Sequence, residues 1–125
     1  MHDELIGLTE ELLHSIANSD WNTYERLCDP TLTAFEPEAR GHLVEGMDFH
    51  RFYFDLEKAK FPQQTTLVQP HVRVIGDDVG IVCYNRLIQT CDAQGQAISI
   101  STEETRVWQR QNGEWKHVHF HRSGE

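Results

Sequence analysis

Apolar residues recur every three or four positions over the first thirty residues, a period typical of amphipathic helices. The pattern predicts a first helix over Leu5–Ala17 and a short second helix over Trp21–Cys28, which ends before Asp29-Pro30. A third helix is predicted from about Asp48 to about Lys60. Its core stripe would consist of four apolar residues, Phe49, Phe52, Tyr53 and Leu56.

The remaining segments alternate with period two, which indicates strands. A short strand is expected over Thr31–Glu36. After Phe61-Pro62, an outer strand is expected over Thr65–Val68 and His71–Ile75, interrupted at Pro70. Two long strands and a final strand follow, over Val79–Cys91, Gln96–Arg110 and Trp115–Arg122. Helices followed by a long meander predict an α+β fold of one domain, residues 1–125. Its N-terminal helices would pack on a strongly curved, mostly antiparallel sheet and leave a cone-shaped hollow.

The last two strands flank Asn112-Gly113, a strong hairpin signal because both residues tolerate positive φ. A two-residue loop would place Arg106 opposite His119. A three-residue loop is preferred, because it gathers Trp108, Val118 and Phe120 on one face that can be buried. The preferred loop places Arg106 opposite Val118, Glu104 opposite Phe120 and Thr102 opposite Arg122.

A second turn, over Asp92–Gly95, is expected to close on a bulged Gly95. It would place Tyr84 opposite Glu104 and Arg86 opposite Thr102. Combined with the preferred final hairpin, this predicts a row of Arg86, Thr102 and Arg122 across three strands, on the face that also carries Arg106.

Charged groups on an inward face are costly unless they are paired or offered to a ligand. Two interpretations therefore stay open for the arginines: an internal salt bridge with Glu104, or a cavity that binds an acid. His50 falls near the stripe of the third helix, either as a hydrogen-bonded histidine at the core edge or as a ligand contact. His117, His119 and His121 alternate along one strand at a spacing too wide for one zinc ion, so an outward interface face is expected for them rather than a metal site.

Charge and composition limit the kinds of partner and the cellular compartment that can be expected. The 125 residues include 20 acidic and 11 basic ones, for a formal charge of -9, so neither nucleic acid nor an anionic membrane is expected as a partner. No apolar run is long enough to predict a membrane span, and the N-terminus has no apolar signal region. The three cysteines, Cys28, Cys83 and Cys91, are typical of buried thiols in a reducing compartment, which predicts a cytoplasmic protein.

Several runs of residues resemble one known family. The longest are Glu103–Trp108, Val118–Gly124, Thr33–Ala39 and Asp48–Phe54, and shorter ones are Leu43–Gly46 and Pro70-His71. Together they resemble the association (hub) domain of calcium/calmodulin-dependent protein kinase II over nearly the whole chain. The resemblance implies the nuclear transport factor 2-like cone, dimers formed through sheet packing, and possible assembly of dimers into a larger ring.

The same resemblance implies a cavity that binds small carboxylates through Arg86, Arg106 and Arg122, with His50 at its mouth. Glu104 and Tyr84 complete the predicted ligand-binding set. The family carries a tryptophan in the loop after the third helix, where this sequence has Lys58. Kinase motifs are not found, so the expectation is a stand-alone hub-like protein without a kinase domain or calmodulin-binding segment.

Three functions compete at this point. The first is a non-catalytic oligomerisation domain whose arginine-lined cavity binds a small organic anion, with no cofactor and no metal. The second is an isomerase, dehydratase or cyclase that uses Glu104, Glu36 or His50 as its base. The third is a scaffold that only binds protein partners. Glu104 between arginines would stay ionised and act as a poor base, which favours the first function over the second.

Overall fold

The computed structural model describes residues 1–56 and 61–124. Within these residues, three helices, one short 3₁₀ turn and six strands follow one another. Their bounds are α1 His2–Ala17, α2 Trp21–Leu27, β1 Cys28–Phe35, the 3₁₀ turn Pro37–Ala39, β2 Val44–Glu45, α3 Asp48–Phe54, β3 Gln64–Ile75, β4 Val79–Cys91, β5 Ala97–Gln111 and β6 Glu114–Gly124. The predicted α+β class is confirmed.

The six strands form one curved sheet in the order β2-β1-β6-β5-β4-β3. All neighbours pair antiparallel except β1 and β6, which pair parallel. The long strands β3 to β6 form a meander, with a register shift in β3 between Val68 and His71 around Pro70. Proline lacks the amide hydrogen that a ladder needs, so it falls where the pairing is interrupted.

The helix α1 packs across one face of the sheet and closes one side of the hollow. Leu5, Leu12 and Leu13 are buried with Trp108 of β5 in one core cluster. The Trp108 indole donates a hydrogen bond of 3.1 Å to the Thr9 hydroxyl, which in turn donates to the Leu5 carbonyl oxygen at 2.9 Å. The buried polar atoms of this contact are therefore paired. In the described part of the chain, no helix is long and apolar enough to cross a membrane.

The third helix differs from its prediction in length and in orientation. It ends at Phe54, well before Lys60, and residues 57–60, which include Lys58, lie outside the described residues. Of the predicted stripe only Phe49 packs on the core, whereas Phe52, Tyr53 and Leu56 are exposed. The buried face is formed by His50 and Phe54, one turn apart, because both rings pack against Tyr24 of α2.

The hairpin between β4 and β5 has the predicted register. Tyr84 lies opposite Glu104 and Arg86 opposite Thr102. Gly95 has a φ of +81°, and the Asp92 carboxylate accepts hydrogen bonds from the amides of Gln94 and Gln96 at 2.9 and 3.0 Å. The local residues of the turn therefore set the pairing of the whole hairpin.

The final hairpin differs from the preferred register. Gln111 pairs with Glu114 around a two-residue turn, and a register shift follows between Val107 and Trp108. The resulting pairs are Arg106 with Phe120, Glu104 with Arg122, and Thr102 with Gly124. The predicted row of Arg86, Thr102 and Arg122 is therefore wrong, and the observed row is Tyr84, Glu104 and Arg122.

Although the predicted register of the β5–β6 hairpin is wrong, most of its side chains lie on the predicted face of the sheet. A loop shorter by one residue and a bulge of one residue together displace the register by two, and a strand repeats its faces every two residues. Arg106, Glu104 and Phe120 therefore stay inward and buried. On the turn side of the bulge the face changes, so that His117 is buried and Val118, predicted to be inward, is not.

Candidate ligand pocket and the charge network beside it

The Glu104 carboxylate is the centre of a buried hydrogen-bond network. Its side chain is 0% exposed. It accepts hydrogen bonds from the Tyr84 hydroxyl at 2.5 Å, from Arg106 Nη2 at 2.9 Å and Nε at 3.3 Å, from the Thr102 hydroxyl at 3.1 Å and from Arg86 Nη1 at 3.4 Å. The carboxylate is thus surrounded by donors on two strands.

The strand registers bring these groups together. Tyr84 faces Glu104 directly across the β4–β5 ladder, and Thr102 and Arg106 are the same-face neighbours of Glu104 along β5. Arg86 lies diagonally opposite, next to Tyr84 along β4. Neighbours of this kind lie within about 8 Å at their Cα atoms, so long side chains reach a common point.

Burial alone would raise the pKa of Glu104, but the guanidinium groups of Arg106 and Arg86 and the Tyr84 hydrogen bond outweigh it and lower this pKa to about 2. The carboxyl group is therefore ionised at neutral pH. Burial also raises the pKa of the Tyr84 phenol, with Arg106 opposing this effect and Glu104 adding to it. Because Glu104 holds no proton and binds none readily, it is unsuited to be the base of a proton-transfer reaction.

Arg106 is enclosed on its other side by β6. Its guanidinium carbon lies 4.4 Å from the centre of the Phe120 ring, and Nη1 lies 3.5 Å from His117 Nε2. A guanidinium can only donate, so His117 Nε2 accepts and the ring proton resides on Nδ1, 3.5 Å from Cys28 Sγ. Burial, reinforced by Arg106, holds the pKa of His117 well below its usual range, so this histidine is neutral.

A pocket of about 260 Å³ opens beside this network. Its polar lining includes Arg86, Arg106, Arg122, Glu36, Glu38 and His50. Aromatic side chains, among them Tyr24, Phe54 and Phe120, supply apolar walls. Tyr84 and Glu104 contribute to the site through the arginines that they bind.

The three arginines of the pocket are engaged to different degrees. Arg106 donates to Tyr84 and Glu104, as described above. Arg122 binds Glu38 and lies 3.9 Å from Glu36. Arg86 contacts Glu104 only at the long distance of 3.4 Å, and its buried Nε has no hydrogen-bond partner among the described residues.

His50 lies on the same pocket and is more buried than its predicted place at a mouth implies. Its side chain is 7% exposed, and Nε2 lies 2.7 Å from the Glu36 carboxylate. The second ring nitrogen, Nδ1, is buried and has no partner in the described part of the chain. Arg86 Nε and His50 Nδ1 are thus two buried polar atoms, on residues that border one pocket, without a protein partner.

Sequence reasoning missed two features of the site. Glu38 was not a candidate, although it lies in the 3₁₀ turn that follows β1 and binds Arg122. The inward position of His117 was missed because the bulge that produces it has no local signal. His119 and His121 do lie outward, where both contact the ring of Phe35. Within residues 1–56 and 61–124, no group of three or more His, Cys, Asp or Glu side chains is placed to hold a metal ion.

Comparison with known proteins gives consistent results. The sequence model of one protein family, the calcium/calmodulin dependent protein kinase II association domain, matches residues 1–125. The chain is 52% identical, over 123 residues, to the delta subunit of calcium/calmodulin-dependent protein kinase type II from Oryctolagus cuniculus. That match covers 97% of this chain but only 23% of the subunit, so the chain spans about a quarter of the length of this relative.

Solved structures show the same similarity. The association domain of the kinase from C. elegans is 44% identical, covers 98% of this chain and 94% of its own, and has a TM-score of 0.92. The hub homology domain from Chlamydomonas reinhardtii is 44% identical, covers 99% and 98%, and has a TM-score of 0.93. A nuclear transport factor 2-like protein from Cytophaga hutchinsonii, 21% identical with a TM-score of 0.78 over 100% of this chain and 98% of its own, shows the shared fold.

Protonation of His117 is expected to destabilise the protein. The folded-state pKa of this group is depressed, so the unfolded state binds more protons and stability falls as pH decreases below the unfolded pKa of about 6.5. One such proton contributes a slope of up to about 1.4 kcal/mol per pH unit. Urea unfolding between pH 7.5 and 5 should show a smaller slope for His117→Gln than for the wild type. His2→Gln, which changes an exposed histidine, is the control, and equal slopes for all three proteins would contradict the assignment.

Proposed function

The chain belongs to the calcium/calmodulin-dependent protein kinase II association-domain family, and from this premise we propose that it is a self-associating hub whose pocket binds a small organic anion. The observation that carries the anion proposal is Arg86. This guanidinium is buried and borders the pocket, yet its Nε has no acceptor among the residues that the structure describes. A buried charged donor without a partner costs free energy that a bound acceptor would recover.

The local charges favour an anion over a neutral ligand. Arg86 and Arg106 share one carboxylate, that of Glu104, so the side of the pocket next to Arg86 has a local excess of one positive charge, which Glu36 and Glu38 on the opposite side balance over the pocket as a whole. Arg122 is neutralised separately by Glu38 and Glu36. A carboxylate can accept two parallel hydrogen bonds from one guanidinium group, so it suits the side of the Arg86 guanidinium that carries Nε.

The volume and walls of the pocket limit the rest of the ligand. A space of about 260 Å³ accommodates a small acid rather than a nucleotide or a peptide. The rings of Tyr24, Phe54 and Phe120 suit an apolar or aromatic body. The formal charge of -9 opposes long-range attraction of anions, so modest affinity is expected.

Arg86→Gln should weaken carboxylate binding without removing the support of the sheet. Loss of a hydrogen bond to a charged group costs about 1.5–3 kcal/mol, which corresponds to at least about a tenfold loss of affinity. Benzoate and acetate would be titrated into both proteins and followed by amide chemical shifts. Arg73→Gln, an exposed change on β3, is the matched control. The proposal fails if the wild type binds neither acid or if Arg86→Gln binds them equally well.

Self-association is proposed to use the sheet face that points away from the helices. On this face Phe35 is 38% exposed and is flanked by the rings of His119 and His121. Cys83, Thr105 and His121 lie in register across the three neighbouring strands and continue the same surface. Partly exposed aromatic and uncharged side chains of this kind are typical of the centre of an interface. A homodimer is the expected unit, with a larger ring as the alternative assembly.

Phe35→Glu should therefore lower the mass of the assembly, because it places a charge in the proposed interface. Size-exclusion chromatography with light scattering at several protein concentrations measures this mass. Phe52→Glu is a matched control, since Phe52 is 61% exposed on α3 and lies on a different surface. A loss of mass with Phe52→Glu alone would move the interface to α3, and a monomeric wild type would contradict self-association.

A further inference from the structure

The hydrogen bond between His50 and Glu36 fixes the tautomer of the histidine. A carboxylate only accepts, so His50 Nε2 carries a proton and donates it to Glu36 at 2.7 Å. In the neutral ring the other nitrogen, Nδ1, then bears a lone pair. This nitrogen is buried, has no partner within residues 1–56 and 61–124, and belongs to a residue that borders the pocket.

A lone pair at Nδ1 repels an anion, whereas a proton at Nδ1 attracts one. The pocket proposed above for an anion therefore has a histidine in the wrong state for that ligand as long as the ring is neutral. If Nδ1 gains a proton, the ring donates two hydrogen bonds. One goes to Glu36 and the other to the anion, which places a positive imidazolium between two negative groups.

The charge balance of the pocket leads to the same conclusion. With a neutral His50, three guanidinium groups face three carboxylates around the site, namely those of Arg86, Arg106, Arg122, Glu36, Glu38 and Glu104. A bound anion would add one uncompensated negative charge in a partly desolvated space, which is costly. One proton on His50 restores the balance.

We propose that the pocket takes up its anion together with one proton, which His50 holds at Nδ1 between the ligand and Glu36. The ligand class is a monoanionic organic acid, and the inference rests on the anion pocket proposed above. Glu36 is a positioning residue here, because it holds the ring by Nε2 and stabilises its positive charge.

The charged neighbours of His50 act in both directions. Glu36 and Glu38, which follow β1, favour the protonated ring, whereas Arg86 of β4, Arg106 of β5 and Arg122 of β6 oppose it. The remaining groups around the ring are neutral at pH 7. They are His117 of β6, Tyr24 of α2, Tyr53 of α3 and the rings of Phe49 and Phe120. With opposing charges present in the free pocket, the added negative charge of the ligand determines whether the proton is taken up.

Because a proton is taken up on binding, affinity for the anion increases as pH falls, by up to about tenfold per pH unit. Benzoate stays an anion throughout pH 5.5–8.5, so its own ionisation does not contribute.

Isothermal titration calorimetry with benzoate at pH 7.5, in phosphate and in Tris, measures the number of protons taken up. These buffers differ in ionisation heat, so their apparent binding enthalpies differ in proportion to that number. The wild type should take up close to one proton per benzoate, His50→Gln none, and Glu36→Gln clearly fewer than the wild type. His42→Gln, which changes an exposed histidine, should match the wild type, and near-ultraviolet circular dichroism should confirm that each variant is folded.

The outcomes separate this inference from the pocket proposal. Benzoate binding by the wild type without proton uptake overturns the role of His50 and leaves the anion pocket intact. Unchanged uptake in both His50→Gln and Glu36→Gln assigns the proton to another group and also overturns it. Absence of benzoate binding at every pH from 5.5 to 8.5 overturns the pocket itself and this inference with it.

Discussion

The buried carboxylate of Glu104 is the charge around which the polar side chains inside the sheet are arranged. It carries a negative charge among apolar and aromatic side chains, where an unpaired charge would be strongly destabilising. Arg106 and Arg86 supply the compensating charge, and Tyr84 and Thr102 supply the remaining donors. Loss of Arg106, the closer of the two guanidinium groups, would leave Glu104 and Tyr84 buried without their main charged partner, so these side chains depend on one another.

This arrangement links the fold to the pocket. Arg106 is held by Tyr84 and Glu104 on one side and by Phe120 and His117 on the other, so it mainly supports the sheet. Arg86 contacts the same carboxylate only at 3.4 Å, and its buried Nε has no hydrogen-bond partner among the described residues. We therefore propose that the two arginines have different tasks, which the sequence could not separate: Arg106 stabilises the network, and Arg86 binds the ligand. Because the network already orders the Arg86 side chain, less side-chain entropy would be lost when a ligand binds.

Sequence patterns predicted the fold class, five of the six strands described and the inward face of the β4–β5 hairpin, because these depend on local residues, but they missed the two-residue strand β2. Asp92 and Gly95 set their turn, and the register followed. The register of the final hairpin was harder to predict. Its two-residue turn is followed by a bulge between Val107 and Trp108, and this bulge depends on packing around Trp108 and His117. The orientation of α3 was wrong for a related reason. Its aromatic residues occupy both faces, and tertiary contacts, among them those with Tyr24, determine that His50 and Phe54 face inward.

The most direct test of this account is the ionisation state of Glu104, observed by carbon-13 NMR of its carboxyl group with assignment by Glu104→Gln. The carboxyl signal should remain that of an ionised group from pH 7 to pH 4, since its pKa is about 2. The exposed carboxyl group of the adjacent Glu103 provides an internal reference signal in the same spectra. Titration of Glu104 between pH 7 and pH 4 in the folded protein would contradict the central role of this carboxylate.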